Sequence, residues 1–540
     1  MRRSGRNSSL SSALRGACSL EKLRLRNVRP FLHFQEPMMR YVLHLLLCSL
    51  FLLLGACNAG SSATSPPPDP PRDTPPDRYA LYKALQIPTN TTERVLYWNG
   101  ATSAADAIDH AYGSVPSEPA AADQLGPTRT SRAFAIVHIA MFDAINAVRQ
   151  QYPNYTDIAP APPGTSEDAA IAQAAHDTLA ALYPQQASVL DQLLAQDLAR
   201  LPDSQAKTNG IQTGQCAAAA ILALRANDGA NEPDPVVGVD YFPQIAPGKW
   251  RPDPVSNNPI ALGAYWGQVH PFVIPSVHYF KAPPPPALTS AQYTDAFNEV
   301  KRLGGDGITT PTERTPEQTL IGIFWGYDGT PYIGTRPRQY NQAAVAIARQ
   351  RITDALEMAR MLALMNAAVA DSCMVGWYDK YAYDFWRPVT AIREANTDDN
   401  PDTQPDPTFT PLGSPATNEP GVPNFTPPFP SYPSGHAVLG SAAFEILRSF
   451  YGTDQIAFTL VSDEFNGVNR DNHGNVRPLV PRSFATLTDA EQDNGLSRIY
   501  LGVHFRFDVD NGMTLGRQIA DYVFKRGLVQ PVSCGCQGGD

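Results

Sequence analysis

From Tyr79 to Lys525 the apolar residues recur every three or four positions, and no other feature constrains the fold as strongly. Ala133, Ile136, Val137, Ala140 and Ile145 share one helical face, and residues 169–182, 190–201 and 208–224 repeat the pattern. After the proline run at 283–286 the spacing predicts further helices over 290–303, 317–325, 342–370, 436–450 and 511–525. Alternating, strand-like stretches are scarce. The expected fold is therefore mainly α, built of helical bundles: an N-terminal helical domain over 79–286 and a C-terminal helical-bundle catalytic domain over 287–530. The Pro-, Thr- and Asn-rich stretch 397–432 is too long for a simple connector, and it ends directly before Pro433-Ser434-Gly435-His436, which marks it as a functional loop.

Residues 1–57 read as an address rather than as fold. Arg40, the apolar run 41–54 and the small residues leading to Cys57 resemble a bacterial lipoprotein signal, with Cys57 as the lipidated first residue. An ordinary signal peptide and a short membrane anchor are the alternatives, although the run falls short of the roughly 20 residues that a spanning helix needs. The start codon is open between Met1, Met38 and Met39. A proline-rich tether follows over 58–78, so the expectation is an exported protein, periplasmic or extracellular, that meets the membrane only through a lipid on Cys57.

The net charge of −10, with no Lys/Arg-rich run beyond the leader, excludes a nucleic-acid-binding surface, and any anionic ligand must be held by a local basic site. Of the seven cysteines, Cys18, Cys48 and Cys57 belong to the leader. Cys216, Cys373, Cys534 and Cys536 show neither a CxxC nor a Cys/His ligand spacing, so neither a disulfide framework nor a cysteine metal site is expected.

Three short elements carry the chemistry. Lys380 and Arg387 lie seven residues apart, two turns on one face of a helix that Pro388 should end. Ser434 and Gly435 precede an apolar helical run, where a helix N-terminus presents unpaired amides to an anion, and His436 beside them can exchange a proton near neutral pH. In the stretch Ser497-Arg498 to His504 and Asp508, Arg498 supplies a planar donor fork. Asp508, one turn from His504 if the segment is helical, can fix the imidazole tautomer and make its other nitrogen a better ligand or nucleophile. Alone, each element is matched by a bland reading: a solvated basic face, a Ser N-cap, a surface His–Asp pair. The remaining histidines, His110, His138, His176, His270, His278 and His473, show no mutual ligand spacing and read as core or surface groups.

In the order KxxxxxxRP, PSGH, SRxxxxxHxxxD, the three resemble the signature of the vanadium-dependent haloperoxidases, which share their anion site with type 2 phosphatidic acid phosphatases and bacterial class A acid phosphatases. The stretches around Phe324–Asp328, Gly334–Asn341 and Trp377–Lys380 resemble the chloroperoxidase type. The resemblance implies a vanadate cofactor bonded to His504, with Lys380, Arg387 and Arg498 neutralising its oxygens and Ser434 and Gly435 donating further hydrogen bonds. It implies His436 as the acid–base group, Asp508 orienting His504, and Asp328 paired with an arginine, Arg498 foremost. Trp377 and Phe429 occupy the positions of the halide pocket and lean towards the chloroperoxidase type. Hydrogen peroxide, a halide and an organic small molecule are the implied substrates, with hypohalous acid as the halogenating product. A homo-oligomer is compatible with all of this. The rival is a phosphatase on the same scaffold, in which His504 would become a phosphohistidine. A non-catalytic oxyanion-binding lipoprotein would have no need of His436.

Overall fold

A computed structural model describes residues 78–112 and 122–528. The leader, Cys57, almost all of the tether, Cys534 and Cys536 lie outside the described residues. Six helices occupy the first half: α1 (Ala80–Lys83), α2 (Thr91–Asp109), α3 (Gly126–Arg149), α4 (Glu167–Leu182), α5 (Ala187–Leu198) and α6 (Gln205–Arg225). Eight follow: α7 (Ala291–Leu303), α8 (Pro316–Phe324), α9 (Arg336–Ala348), α10 (Ala355–Tyr383), α11 (Pro388–Arg393), α12 (Gly435–Tyr451), α13 (Leu487–Tyr500) and α14 (Arg506–Arg526). The mainly α expectation agrees with this. Two antiparallel hairpins interrupt the helices, β1 (Asp328–Thr330) with β2 (Gly334–Thr335) and β3 (Phe458–Asn466) with β4 (Leu479–Phe484). Strand β3 alternates buried and exposed residues along Phe458–Ser462, a period-two signal that the sequence reading passed over.

Half of the helix starts follow from local capping chemistry. Asn90, Ser166, Ser204, Ser290, Thr315, Asp354 and Thr486 each accept a hydrogen bond from a backbone N–H two or three residues on, and so cap α2, α4, α6, α7, α8, α10 and α13. The Asp354 cap corrects one expectation. The single helix expected over 342–370 is two, because Asp354 takes the amides of Leu356 and Glu357 and restarts the chain as α10. The residues before α9, α11, α12 and α14 cap none of them with a side chain, as is also true of α1, α3 and α5, and in α14 only Asp508 reaches back, to the amide of Phe505. Helices α9, α11, α12 and α14 all begin at the site described below.

Helix α10 is the central post. It packs on α3 from the first half and on α12 and α14 from the second, and one hydrophobic core runs through both halves. Both α3 and α10 are apolar and long enough to cross a membrane, but their apolar windows are 89% and 94% buried inside the protein, which makes them core helices here.

Candidate anion-binding site

Four of the uncapped helix starts meet around one spot, each marked by a residue of the site. Arg336 opens α9, Arg387 precedes Pro388 at the head of α11, Ser434 and Gly435 open α12, and His504 lies two residues before α14. Each N-terminus carries unpaired amides and a partial positive charge, so their convergence favours an anion before any side chain is counted. Lys380 arrives from the last turn of α10, and Arg498 from the last turn of α13.

Two expected arrangements are corrected by this geometry. Lys380 and Arg387 do not share a helix, because α10 stops at Tyr383 with Asp384 left-handed at φ 53°, and Arg387 is extended at φ −85°, ψ 156°. The proline after Arg387 disfavours the helical region for it, so the chain leaves the helix early. Both cations still reach the site, one from a helix end and the other from a helix start. His504 and Asp508 likewise straddle the start of α14. Asp508 Oδ2 accepts from Phe505 N at 3.1 Å, as an acidic residue in a first turn often does, and from His504 Nδ1 at 2.9 Å.

The second contact fixes a tautomer. Arg387 Nη1 stands 2.9 Å from His504 Nε2, and a guanidinium can only donate, so Nε2 carries the lone pair and Nδ1 the proton given to Asp508. Ser431 Oγ braces the same carboxylate at 2.5 Å. His436 Nε2 faces the Trp325 carbonyl at 2.9 Å and Arg498 Nη1 at 3.4 Å; the shorter contact needs a proton on Nε2, which leaves Nδ1 as the basic atom, 3.9 Å from Asp328 Oδ1. Burial first, then Arg387 and Lys380, hold His504 well below the usual imidazole value. Burial, Arg336 and Arg498 do the same to His436, so both rings are neutral.

Asp328 bridges two arginines. Its Oδ2 accepts from Arg498 Nη2 at 2.7 Å and from Ser414 Oγ at 2.6 Å, and its Oδ1 accepts from Arg336 Nη2 at 2.9 Å. Burial alone would raise this carboxyl, yet the neighbouring charges, Arg498 first, keep it well below the ordinary carboxylate range. Lys380 gives its ammonium to the carbonyls of Pro430 and Ser431 at 2.9 Å each and of Pro433 at 2.5 Å, so an anion would have to take one of those donors over. Burial, with Arg387 adding to it, pulls this lysine well below its usual value. Phe429 and Trp377 wall the site with ring centres 5.0 Å apart, and the Lys380 ammonium lies 5.1 and 5.6 Å from those two rings.

Four buried cations, Lys380, Arg387, Arg498 and Arg336, thus face two buried carboxylates, Asp328 and Asp508. Arg387 Nη2, Arg498 Nε, Arg336 Nε and Ser434 Oγ are buried without a hydrogen-bond partner. Buried charge of one sign and unfilled donors are both costly unless a ligand completes them. A tetrahedral oxyanion such as vanadate fits this donor set in charge and in hydrogen-bonding sense. Among the described residues no cluster of three or more His, Cys, Asp or Glu could chelate a bare metal ion. Every site residue named from the sequence lies at or against this spot. Three were missed: Arg336, Ser414 and Ser431. Arg336 stands before a proline as Arg387 does, but so do Arg251 and Arg477, and that pair alone does not single it out. The two serines sit in the 397–432 loop, where nothing local distinguishes them.

Comparison with known proteins agrees with the geometry. The family model described as the VCPO second helical-bundle domain matches residues 360–530. A vanadium chloroperoxidase from Curvularia inaequalis is 30% identical over 501 residues, covering 77% of this chain and 79% of that protein. Among solved structures, the first bacterial vanadium-dependent iodoperoxidase superposes with a TM-score of 0.63 at 22% identity, over 81% of this chain and 97% of that one. A holo-type bacterial vanadium-dependent chloroperoxidase gives 0.56 at 18% identity, over 79% and 96%. These two share the fold, and the 30% identity spans more than three quarters of both sequences, so the chain belongs to the vanadium-dependent haloperoxidase family.

Proposed function

We propose that this protein is a peroxidase that holds vanadate at the four helix starts and oxidises a halide with hydrogen peroxide to hypohalous acid, which then halogenates organic small molecules. The observation that carries the reading is the coincidence of unpartnered donors on Arg387, Arg498 and Ser434 with a neutral His504 whose lone pair lies on Nε2. Vanadate, when bound, supplies the electron-poor centre at which peroxide becomes a two-electron oxidant.

The chain's own groups do the rest. His504 would hold the vanadate through Nε2, the basicity of that atom raised by the proton Nδ1 shares with Asp508. Arg387, Arg498 and Lys380 balance the oxyanion's charge, and Ser434 Oγ and the Gly435 amide add neutral donors. His436, neutral in the resting site, accepts a proton from incoming peroxide at Nδ1 and returns it to the departing water, while Asp328 stabilises the imidazolium formed between these events. Trp377 and Phe429 keep bulk water from the site and offer the halide a polarisable wall.

The test is bromination of a phenolic dye with bromide and peroxide, before and after adding orthovanadate, with phosphate-ester hydrolysis followed on the same sample. Vanadate-dependent bromination supports the reading. Ester hydrolysis inhibited by vanadate, without bromination, would make the protein a phosphatase. Export with a lipid on Cys57 belongs to the same proposal, and Cys57→Ser should move the protein from the detergent phase to the aqueous phase on partitioning.

A further inference from the structure

We infer that Arg336 is a fourth cation that holds the oxyanion directly, alongside Lys380, Arg387 and Arg498. This rests on the proposal that the site takes a tetrahedral oxyanion. Arg336 lies outside the three sequence elements that pointed to the site, as the first residue of α9 directly after β2. It is 1% exposed. A Cβ placed on Gly435 would meet Arg336 Nη1 at 2.5 Å and the Trp377 ring at 3.1 Å, so Nη1 lies close against the first residue of α12, which follows Ser434 and its unpartnered hydroxyl. A side chain at this position would push the guanidinium or the ring aside. The guanidinium carbon also lies 5.9 Å from the Trp377 ring centre, so Arg336 borders the aromatic wall of the site.

A purely structural arginine looks different, and one stands two residues further along the same helix. Arg338 bonds through Nε to the Ser103 carbonyl at 3.0 Å, and through Nη1 to the Ile333 carbonyl at 3.1 Å and to Asp463. Arg336 pairs with Asp328 through Nη2 but leaves Nε buried and empty. Its one carboxylate is shared with Arg498, so Asp328 can neutralise only one of the two guanidinium charges. The remaining charge and the empty Nε match one more oxygen of a bound tetrahedral oxyanion.

Calorimetric titration of the purified apoprotein with orthovanadate, and separately with inorganic phosphate, tests this without relying on turnover. Arg336→Gln should weaken orthovanadate binding by about tenfold or more. Arg336→Lys, which keeps the charge beside Asp328 but loses the Nε donor, should fall between the two. It also decides the matter if Arg336→Gln does not fold. Wild-type affinity in Arg336→Lys and Arg336→Gln overturns the inference. So does a loss that disappears when Asp328→Asn is the starting background, because Arg336 would then act only by positioning Asp328. If the wild type binds phosphate but not orthovanadate and Arg336→Gln weakens that binding, the vanadate reading falls and the role of Arg336 stands. If it binds neither, both fall.

Discussion

Helices α9 and α10 border two buried polar regions that differ in charge and in closure. On the side of the first-half helices, Asn99, His138, Asn341 and Asn366 form a neutral network. Asn99 Nδ2 donates to Asn341 Oδ1 at 2.8 Å and faces His138 Nε2 at 2.9 Å, Asn341 and Asn366 exchange amide bonds at 2.8 and 3.0 Å, and His138 Nδ1 donates to the Phe134 carbonyl at 2.7 Å. None of their side-chain atoms is left buried without a partner. On the other side, the anion site holds four cations against two carboxylates and keeps several donors empty. Each region has a buried histidine held neutral, His138 by burial alone at about 4, and His436 and His504 by burial together with cations. A closed network fixes how helices pack, whereas an open one stores unmet electrostatic demand for a ligand. The closed one joins α2 and α3 to α9 and α10, the helices that carry Arg336 and Lys380.

The contrast can be broken most forcefully at the anchor. His504→Ala should reduce vanadate-dependent bromination to the level seen without orthovanadate, while the urea midpoint stays close to wild type; residual bromination that still needs vanadate would show that the anchor lies elsewhere. Next in size is Arg498→Ala, which leaves Asp328 with Arg336 as its only charged arginine partner and should cost about 3 kcal/mol, the lower end for breaking a buried pair, in urea unfolding of the apoprotein.

The closed region answers to pH. His138 titrates at about 4 in the folded chain against a usual 6.5, so the unfolded chain takes up the proton first as pH falls. Its contribution is complete above about pH 6.5 and is lost on going down towards pH 4, up to about 3 kcal/mol in all. His138→Gln should flatten that part of the stability curve, and an unchanged slope would place the acid sensitivity in another group. Smallest is Asn366→Leu, which should cost about 1–3 kcal/mol by leaving Asn341 amide groups unmet. Orthovanadate affinity should not change in this variant; a parallel loss of affinity would mean that the two regions are one coupled system.

Most of the helical content was legible before the fold was known, because burial of one helix face leaves a period that any core must respect. The misread boundaries share one cause. Asp354 splits an apolar run that looks continuous, and Asp384 ends α10 before the proline that seemed to set its end, since capping and left-handed residues act on single positions that a periodicity averages over. Strand β3 was missed because its alternation is brief and joins a partner strand thirteen residues beyond its end.

The site divides in the same way. The sequence by itself picked out the groups that meet at the site: His504 with Asp508, His436 behind Ser434 and Gly435, and the cations Lys380, Arg387 and Arg498, because within each element they stand at short, readable separations and the three elements together resemble one family signature. Only the tertiary structure decided that four uncapped helix starts face one another, that Asp328 from a β-hairpin spans two arginines, and that Arg336, Ser414 and Ser431 complete the ring. Those contacts join residues 8 to 170 positions apart, most of them across separate helices and loops, and the packing that brings them together leaves no local pattern in the chain.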